Sequence, residues 1–551
     1  MPSSLRSNAL VLGVLLALAG GRAAAGDEGQ ADLDKATQLK VGASSVGELG
    51  EVIRLCDSAL AKGLDQNNAS FAKNLLAGAL TQRGSIHAGQ TFRSLLSDSK
   101  WQEQRKLALA DLERAVGLNP AQPQALGLIA RLNLLPQGDA KRAAEALDQA
   151  VAQSGDEPQL KGEALVLRAG VQKEPVKKLA DLDEAIQVAP GDASVYRARG
   201  IVRAEMSKFA AALDDFNKAI GLDPGQPLNY QLKALVLAKQ QKLDDALAVL
   251  EKARTLLPGN LELPLTKAQI LRGRADYPAA LEELNRAAAI DANNLEVLLL
   301  RAAVYKDLGQ PAKALDDIDR VLRLKPAVAG VMRDRAMLLA ELGKYDEAVA
   351  QLEQLRQANP KDPLTLLQLG ILSAAQKQNE TAVKYFSEVL GQYPGEWSAY
   401  RGRADALLGL GRRAGAIADY DKALQLRPKD VGILNNLAWV LATAPEEKLR
   451  DGKRALVLAQ EVAKLTDYKQ DYVLSTLAAA YAEAGDFQSA QQWAAKAVEL
   501  GSKEHSAQLK QELQSYKAGK PWREVLGASG EKKEHQGDKP PAEPHQNAAQ
   551  R

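Results

Sequence analysis

Residues 193–226 read ASVYRARGIVRAEMSKFAAALDDFNKAIGLDPGQ, and this stretch predicts two amphipathic helices joined by a short break. Apolar residues recur at intervals of three and four in both halves, which is the period of an α-helix. Ser207 and Lys208 interrupt the pattern. Pro224 ends the second helix, because proline has no backbone N–H and restricts the residue before it. The small residues that let the two helices approach closely are Gly200, Ala212 and Ala219.

The same unit recurs every 34 residues, which predicts a repeat array rather than a single globular core. The residues that end successive units are Pro190, Pro224, Pro258, Ala292, Pro326, Pro360, Pro394 and Pro428. The alanines at one shared position are Ala212, Ala246, Ala280, Ala314, Ala348, Ala382 and Ala416. The prolines expected in the first turns of helices, where they are tolerated, are Pro227, Pro278, Pro311 and Pro363.

The pattern resembles the tetratricopeptide repeat family, which has small residues at positions 8, 20 and 27, an aromatic residue near 17 and proline at 32. The last full unit shows it most completely, with Ala478, Tyr481, Gly485, Phe487, Ala490 and Ala497. The resemblance covers residues 121–504. It implies an all-α fold: a right-handed α-solenoid, or superhelix, of about twelve antiparallel helix pairs whose first helices line a concave face.

The remaining chain divides around this array. We predict a signal peptide over residues 1–25, a flexible segment over 26–44, and an irregular helical cap with the first helix pair over 45–120. In that cap a lone helix begins at Ser45, where Ser45 and Glu48 form a capping box. A first helix then spans 71–84 and a polar loop 91–100. The array at 121–504 contains one longer unit, 431–470, with six extra residues. A capping helix with a polar outer face occupies 505–526, and 527–551 is a disordered, charged tail.

The first 25 residues favour export. Arg6 precedes an apolar run, residues 9–19, and Ala23-Ala24-Ala25 offers a small-residue cleavage site. The run is shorter than the roughly 20 residues of a spanning helix, so an uncleaved anchor is the weaker alternative. We therefore expect an exported, bacterial-type member of the family, periplasmic or extracellular after cleavage near Ala25, without stable membrane insertion. The single cysteine, Cys56, lies on an apolar stripe and is predicted to pack in the core.

Composition and motifs argue against an enzyme. The 551-residue chain has 71 Lys and Arg against 69 Asp and Glu, which gives no overall attraction for nucleic acid. Its four histidines form no His-x-x-x-His pair, and no cysteine pair or glycine-rich phosphate loop is present. We expect no catalytic residues, no metal site and no cofactor.

A row of basic residues at position 7 of the units has two interpretations. The row consists of Arg199, Lys233, Lys267, Arg301, Arg335 and Arg403. It is either a ladder for a polyanion or one half of a set of structural ion pairs. Acidic residues at positions 22 and 23 favour ion pairs, and the expected partners are Asp214 or Asp215 for Arg199, Glu282 or Glu283 for Lys267, Asp316 or Asp317 for Arg301, and Asp419 for Arg403.

The family resemblance implies that positions 2, 5, 6, 9, 12 and 13 face the groove. In the middle units these positions hold aliphatic or small residues: Leu228, Leu235, Leu265, Leu299, Ala303, Leu367 and Ile371. The C-terminal units differ, and the candidate peptide-binding residues there are Arg401, Asp405, Asn435, Asn436, Trp439 and Tyr472. A tryptophan beside amides and an arginine is typical of peptide anchors. The alternative is that Trp439 fills the bend at the six-residue insertion while the asparagines cap helix ends.

Three functional hypotheses follow. The preferred one is a scaffold that docks an unknown protein or extended peptide on an open array. The second is a structural or self-assembling envelope component. The third, a hydrolase or carbohydrate-active enzyme, lacks any acid–base pair of residues to support it.

Overall fold

The computed structural model describes residues 28–93, 100–155, 157–501 and 505–524. Within these ranges every regular element is helical, which confirms the all-α prediction. Helices α3 to α26 follow one another in sequence as twelve helix pairs, as expected. The handedness of the predicted superhelix stays a prediction. The predicted signal peptide and the tail at 527–551 lie outside the described residues.

By its contacts the chain divides into two compact units, Met1–Ile270 and Leu271–Arg551. The helices of the first are α1 Gln30–Gly42, α2 Val46–Lys62, α3 Gln66–Arg93, α4 Lys100–Leu118, α5 Pro123–Asn133, α6 Ala140–Gln153, α7 Pro158–Val171, α8 Pro175–Val188, α9 Ala193–Glu205, α10 Phe209–Leu222, α11 Pro227–Lys239, α12 Leu243–Leu256 and most of α13 Glu262–Gly273.

The second unit starts near the end of α13. Its helices are α14 Tyr277–Ile290, α15 Leu295–Asp307, α16 Pro311–Leu324, α17 Ala329–Glu341, α18 Tyr345–Ala358, α19 Pro363–Ala375, α20 Asn379–Gln392, α21 Trp397–Gly409, α22 Arg413–Leu426, α23 Val431–Thr443, α24 Gly452–Leu465, α25 Asp471–Glu483, α26 Phe487–Leu500 and α27 Ser506–Lys517. A short 3₁₀ helix, Glu447–Leu449, lies in the six-residue insertion.

The repeat period reflects burial. All seven alanines of the shared position are 0% exposed, because a larger side chain there would separate neighbouring helices. The four prolines predicted in first turns lie at the starts of α11, α14, α16 and α19, as expected. Cys56 is buried in the core, and burial raises the pKa of its thiol to about 11.

The N-terminal part corrects two predictions. The segment 26–44 is not flexible throughout, because α1 buries Leu33 and Ala36 and its Asp32 accepts a hydrogen bond from Ser58 at 2.6 Å. The first helix of the first pair is longer than residues 71–84, and α3 continues through Thr91, which is buried. Residues 94–99 of the predicted loop lie outside the described part. The Ser45–Glu48 capping box is present as predicted.

The turns inside the helix pairs require a left-handed backbone at one residue. Gly343 has a φ of +77° there, whereas Gly391 lies within α20 with open space around it. We expect Gly343→Ala to destabilise the protein by about 1 kcal/mol, because an L side chain strains a left-handed residue. Gly391→Ala should instead stabilise it by up to about 1 kcal/mol through helix propensity. Thermal melts of the two variants test this, and equal shifts would contradict it.

Candidate functional site

The basic residues at position 7 mainly form ion pairs between helices. Arg199 contacts Asp215 and Asp183 at 2.7 Å each, and these carboxylates lie 16 residues to either side. Arg301 and Arg403 pair with the predicted partners Asp317 and Asp419 at 2.6 and 2.7 Å. Each guanidinium therefore joins the second helix of its own unit to that of the preceding unit, where the acceptors are Asp183 for Arg199, Asn285 for Arg301 and Ser387 for Arg403.

Two further members of the row contact a carboxylate of the preceding unit. Lys267 contacts Glu251 of the preceding unit at 2.8 Å, and Arg335 contacts Asp319 at 2.5 Å, again 16 residues back. Lys233 has Asn217 and Val249 at the same two spacings, so no carboxylate is available there. No ion pair to Lys233 occurs among the residues that the structure describes, and burial lowers the pKa of its amine. The row does not form an uninterrupted basic ladder.

The aliphatic residues predicted on the first-helix face are largely exposed. Leu228, Leu235, Leu299 and Ile371 are 42%, 41%, 37% and 43% exposed, and Ala303 and Leu367 are half-buried. Leu265 is an exception at 2%. Leu265 is at position 5 of its unit, where other units have Arg197 and Arg333. These long polar side chains reach Asn229 and Asp362 of the next unit. An aliphatic side chain has no such partner, and its burial in the core is favourable.

Two of the six candidate residues in the C-terminal units meet directly. The Asn436 Nδ2 of α23 donates to Asp405 Oδ1 of α21 at 3.2 Å, and to the Tyr420 hydroxyl at 3.4 Å. Tyr420 in turn donates a short hydrogen bond to Asp405. Tyr420 is fully buried, and this burial raises the pKa of its phenol far above its ordinary value. The network fixes α21 against α23 and holds Asp405 and Asn436 in place.

Arg401 and Asn435 lie beside this network. The Arg401 guanidinium is 3.9 Å from the carboxylate of Asp430, which caps α23 by accepting from the backbone N–H of Ile433 at 2.9 Å. A Cβ atom at Gly432 would come within 3.0 Å of Arg401, so this arginine lies across the start of α23. The Oδ1 atom of Asn435 is buried, and no donor to it occurs among the described residues. Because Asp430 is the cap, the alternative that the asparagines cap this helix is wrong.

Trp439 and Tyr472 are half-buried against the largest apolar cluster of the second unit. The Trp439 Nε1 donates to Glu524 Oε2 at 3.0 Å. Trp439 therefore combines packing against this cluster with a polar edge that holds a short segment from the C-terminal part of the chain. The use of these six residues in peptide binding stays a prediction.

That segment, residues 521–524, is here called the C-terminal strap, and it was not predicted. The backbone N–H of Glu524 donates to the carbonyl of Thr443 at 3.0 Å, and the Arg523 guanidinium donates to the carbonyl of Ala442 at 3.2 Å. Arg523 also contacts Glu483 at 2.6 Å. The predicted capping helix, 505–526, ends earlier, at Lys517, and Trp522, which was expected within it, packs against the same apolar cluster.

The six-residue insertion also contacts the Glu483 carboxylate. Arg450 donates to Glu483 Oε1 at 2.8 Å and to the carbonyls of Ala444 and Pro445 at 3.2 and 3.0 Å. Glu483 therefore receives one arginine from the insertion and one from the strap. Two arginines on one carboxylate join the ends of α23 and α25.

The capping helix α27 only partly has the predicted polar outer face. Lys510, Gln511 and Gln514 are exposed as expected, but Glu512 is 1% exposed. Its carboxylate accepts from Ser475 at 2.6 Å and from Gln508 at 2.9 Å. The prediction for Glu512 was wrong because α25 supplies a polar partner in the interior.

Glu512→Gln should raise the melting temperature at neutral pH, because a neutral amide avoids the cost of burying a charged carboxylate. Burial raises the pKa of the Glu512 carboxyl above its ordinary 4.5, so its stabilising contribution is complete below that value and is lost as the pH rises through the folded pKa. The gain should therefore vanish below pH 4.5. Melting curves across this range test it, with exposed Glu499→Gln as the control. An unchanged or lower melting temperature at neutral pH would contradict it.

The described residues contain no group of three or more metal-ligating side chains, and no helix among them has the length and apolar character needed to cross a bilayer. The two histidines in these ranges are engaged, His87 with Gln104 at 2.7 Å and His505 with Asp471 at 2.9 Å.

Comparison with known proteins finds similarity to tetratricopeptide repeat proteins. Family models described as tetratricopeptide repeat match residues 237–304, 303–367 and 367–431. No curated protein sequence matches the chain. Yeast Tom70 is similar at 18% identity, covering 81% of this chain and 96% of that one, with a TM-score of 0.40. A tetratricopeptide repeat protein from Parabacteroides merdae is 17% identical, covering 59% and 98%, with a TM-score of 0.34.

The family models and the 34-residue helix pairs coincide over the centre of the chain. The matched residues run from the end of α11 to the start of α23, and each model spans about two helix pairs. The region 237–431 therefore matches tetratricopeptide repeat models in sequence and consists of helix pairs with the same period.

Proposed function

We propose that this protein is a non-catalytic scaffold that docks a protein or extended peptide on the face formed by its first helices. The observation that carries the proposal is the exposure of aliphatic side chains at repeat positions of that face. Leu364 and Ile371 of α19 are 53% and 43% exposed, and Leu364 lines an open cleft of about 420 Å³ with Leu367 and Tyr393. Exposed apolar surface of this kind is typical of interaction sites.

We further propose that the peptide's central contacts lie at the C-terminal end of this face. Trp439 supplies a large aromatic surface, and Asn435 supplies a half-buried side-chain amide one helical turn away. The pair of Asp405 and Asn436 is already ordered by hydrogen bonds, so little side-chain entropy is lost when a ligand meets it. Arg401 offers a cation to an acidic group, and Tyr472 a second aromatic surface.

The experiment is selection of displayed random peptides on the intact protein, followed by affinity measurement of the selected peptides with purified variants. Binding should depend on Trp439 and should be indifferent to Trp493→Ala. Trp493 is a matched control, because it is a half-buried tryptophan on a second helix, stacked on Tyr468 at 5.3 Å. A selection that yields no peptide, or only peptides that ignore Trp439, would count against the proposal.

Export is part of the proposal. Support comes from the apolar run and the small residues at Ala23, Ala24 and Ala25. The mature protein should begin at Gly26, in the periplasm or outside the cell. N-terminal sequencing of the native protein tests this, and an intact Met1 would refute it.

A second candidate is self-assembly, favoured by a row of exposed apolar residues near the ends of second helices. They are Leu222 and Leu256 in the first unit, and Ile290, Leu324 and Leu426 in the second. Light scattering at micromolar concentration decides between the candidates, since a monomer would exclude self-assembly under those conditions.

A further inference from the structure

The C-terminal strap contacts a surface that can recognise an extended peptide. The end of α23 presents carbonyl groups that have no partner within the helix, and those of Ala442 and Thr443 receive the Arg523 guanidinium and the Glu524 backbone N–H. Beside them, Glu483 receives the Arg523 charge at 2.6 Å. Trp439 then donates its indole N–H to the Glu524 carboxylate at 3.0 Å.

The four groups of this surface contact the strap in three different ways. An arginine meets a carbonyl and a carboxylate, a backbone N–H meets a carbonyl, and an acidic side chain meets an indole N–H. Three of the contacts are hydrogen bonds with a defined donor and acceptor, and the fourth is the ion pair of Arg523 with Glu483. The surface therefore distinguishes an arginine followed by an acid from the reverse order. The six-residue insertion contributes to the surface, because its Arg450 holds the other oxygen of Glu483.

The strap is attached in a way that allows release. It follows α27 through Gly519, which has a φ of +67°, and all four of its residues are only half-buried. Its polar contacts are those described above, and Trp522 adds apolar contact. A segment of this length on a short linker competes with an outside ligand at an effective concentration in the millimolar range.

We propose that the surface formed by Trp439, the Ala442 and Thr443 carbonyls and Glu483 is a docking site for an extended segment with arginine followed by an acidic residue. In the free protein the strap occupies this site, and a partner segment of the same chemistry displaces it. This inference rests on the proposed docking function, because it names the partner chemistry for the Trp439 end of that face.

The experiment uses a fluorescent peptide with the sequence of residues 518–524, AGKPWRE, with blocked termini. Its affinity is measured for the full chain and for the full chain carrying Arg523→Ala and Glu524→Ala, which removes the two side-chain contacts of the strap and leaves Trp522 and the backbone unchanged. We expect the double variant to bind the peptide at least about tenfold more tightly than the wild type, since the internal competitor is weakened. A charge-swapped peptide, AGKPWER, should bind neither protein measurably.

Glu524→Ala alone is the second variant, and it should show a smaller gain of the same sign. Melting curves establish that each variant is folded. Equal affinity of wild type and both folded variants for the peptide, equal binding of the charge-swapped peptide, or no binding at all would overturn the inference. If a peptide selected on the intact protein still binds through Trp439 in that case, the docking function stands and only the strap assignment fails.

Discussion

Phe386→Ala should destabilise the second unit by about 3–5 kcal/mol, the largest effect on stability expected in this protein. Phe386 is 1% exposed and lies in α20 between α19 and α21. A Cβ atom at Gly370 would come within 2.7 Å of its ring, and one at Gly402 within 2.5 Å. The ring fills the space that these two glycines leave, so its removal creates a cavity shared by three helices.

Chemical denaturation of the variant measures this loss, and Tyr393→Ala, which removes an aromatic ring that is 46% exposed, is the control. A further test is coupling. Gly402→Ala should destabilise the wild type, because the new methyl group meets the ring, but should be tolerated in the Phe386→Ala background. A loss below about 1 kcal/mol, or additive effects of the two changes, would show that the ring does not determine this packing.

Trp439→Ala should weaken binding of a selected peptide by about 2–4 kcal/mol, or roughly 30- to 1,000-fold. An indole at the centre of an interface supplies both apolar surface and a donor. Trp439 also packs against the C-terminal core and bonds Glu524, so the variant should lose some stability as well. Affinity must therefore be expressed per folded molecule, from melting curves and binding isotherms on the same preparation.

Trp439→Phe separates the two contributions, because it keeps an aromatic ring and removes the donor. Its affinity should lie between those of wild type and Trp439→Ala. If Trp439→Ala loses stability but keeps its affinity per folded molecule, Trp439 is a core residue and the candidate site is elsewhere.

Most of the fold was predictable because it depends on local periodicity. The 34-residue spacing gave the number of helix pairs, and the alanine positions gave the contacts between helices. The partners of Arg199, Arg301 and Arg403 followed from the same register. Local capping at Ser45 was also visible, since the interacting residues are three positions apart.

The predictions that were wrong involve residues distant in sequence. Helix α1 is stabilised by burial of Leu33 and by Asp32, which meets Lys62 at 2.6 Å, and its own sequence shows little amphipathic pattern. Glu512 is buried because Ser475, far earlier in the chain, meets its carboxylate. The strap depends on helix-end carbonyls at Ala442 and Thr443, which no residue pattern marks. For the candidate site, the sequence predicted the face of the first helices and the types of residue on it. It did not predict the hydrogen bonds among those residues.

The proposed docking face is formed by the first helices of the repeats. Hydrogen exchange of the intact protein, with and without a selected peptide that binds through Trp439, tests it most directly. Added protection should appear in α21, α23 and α25, and exchange in α22, α24 and α26 should remain unchanged. Protection centred on α22, α24 and α26 would contradict it.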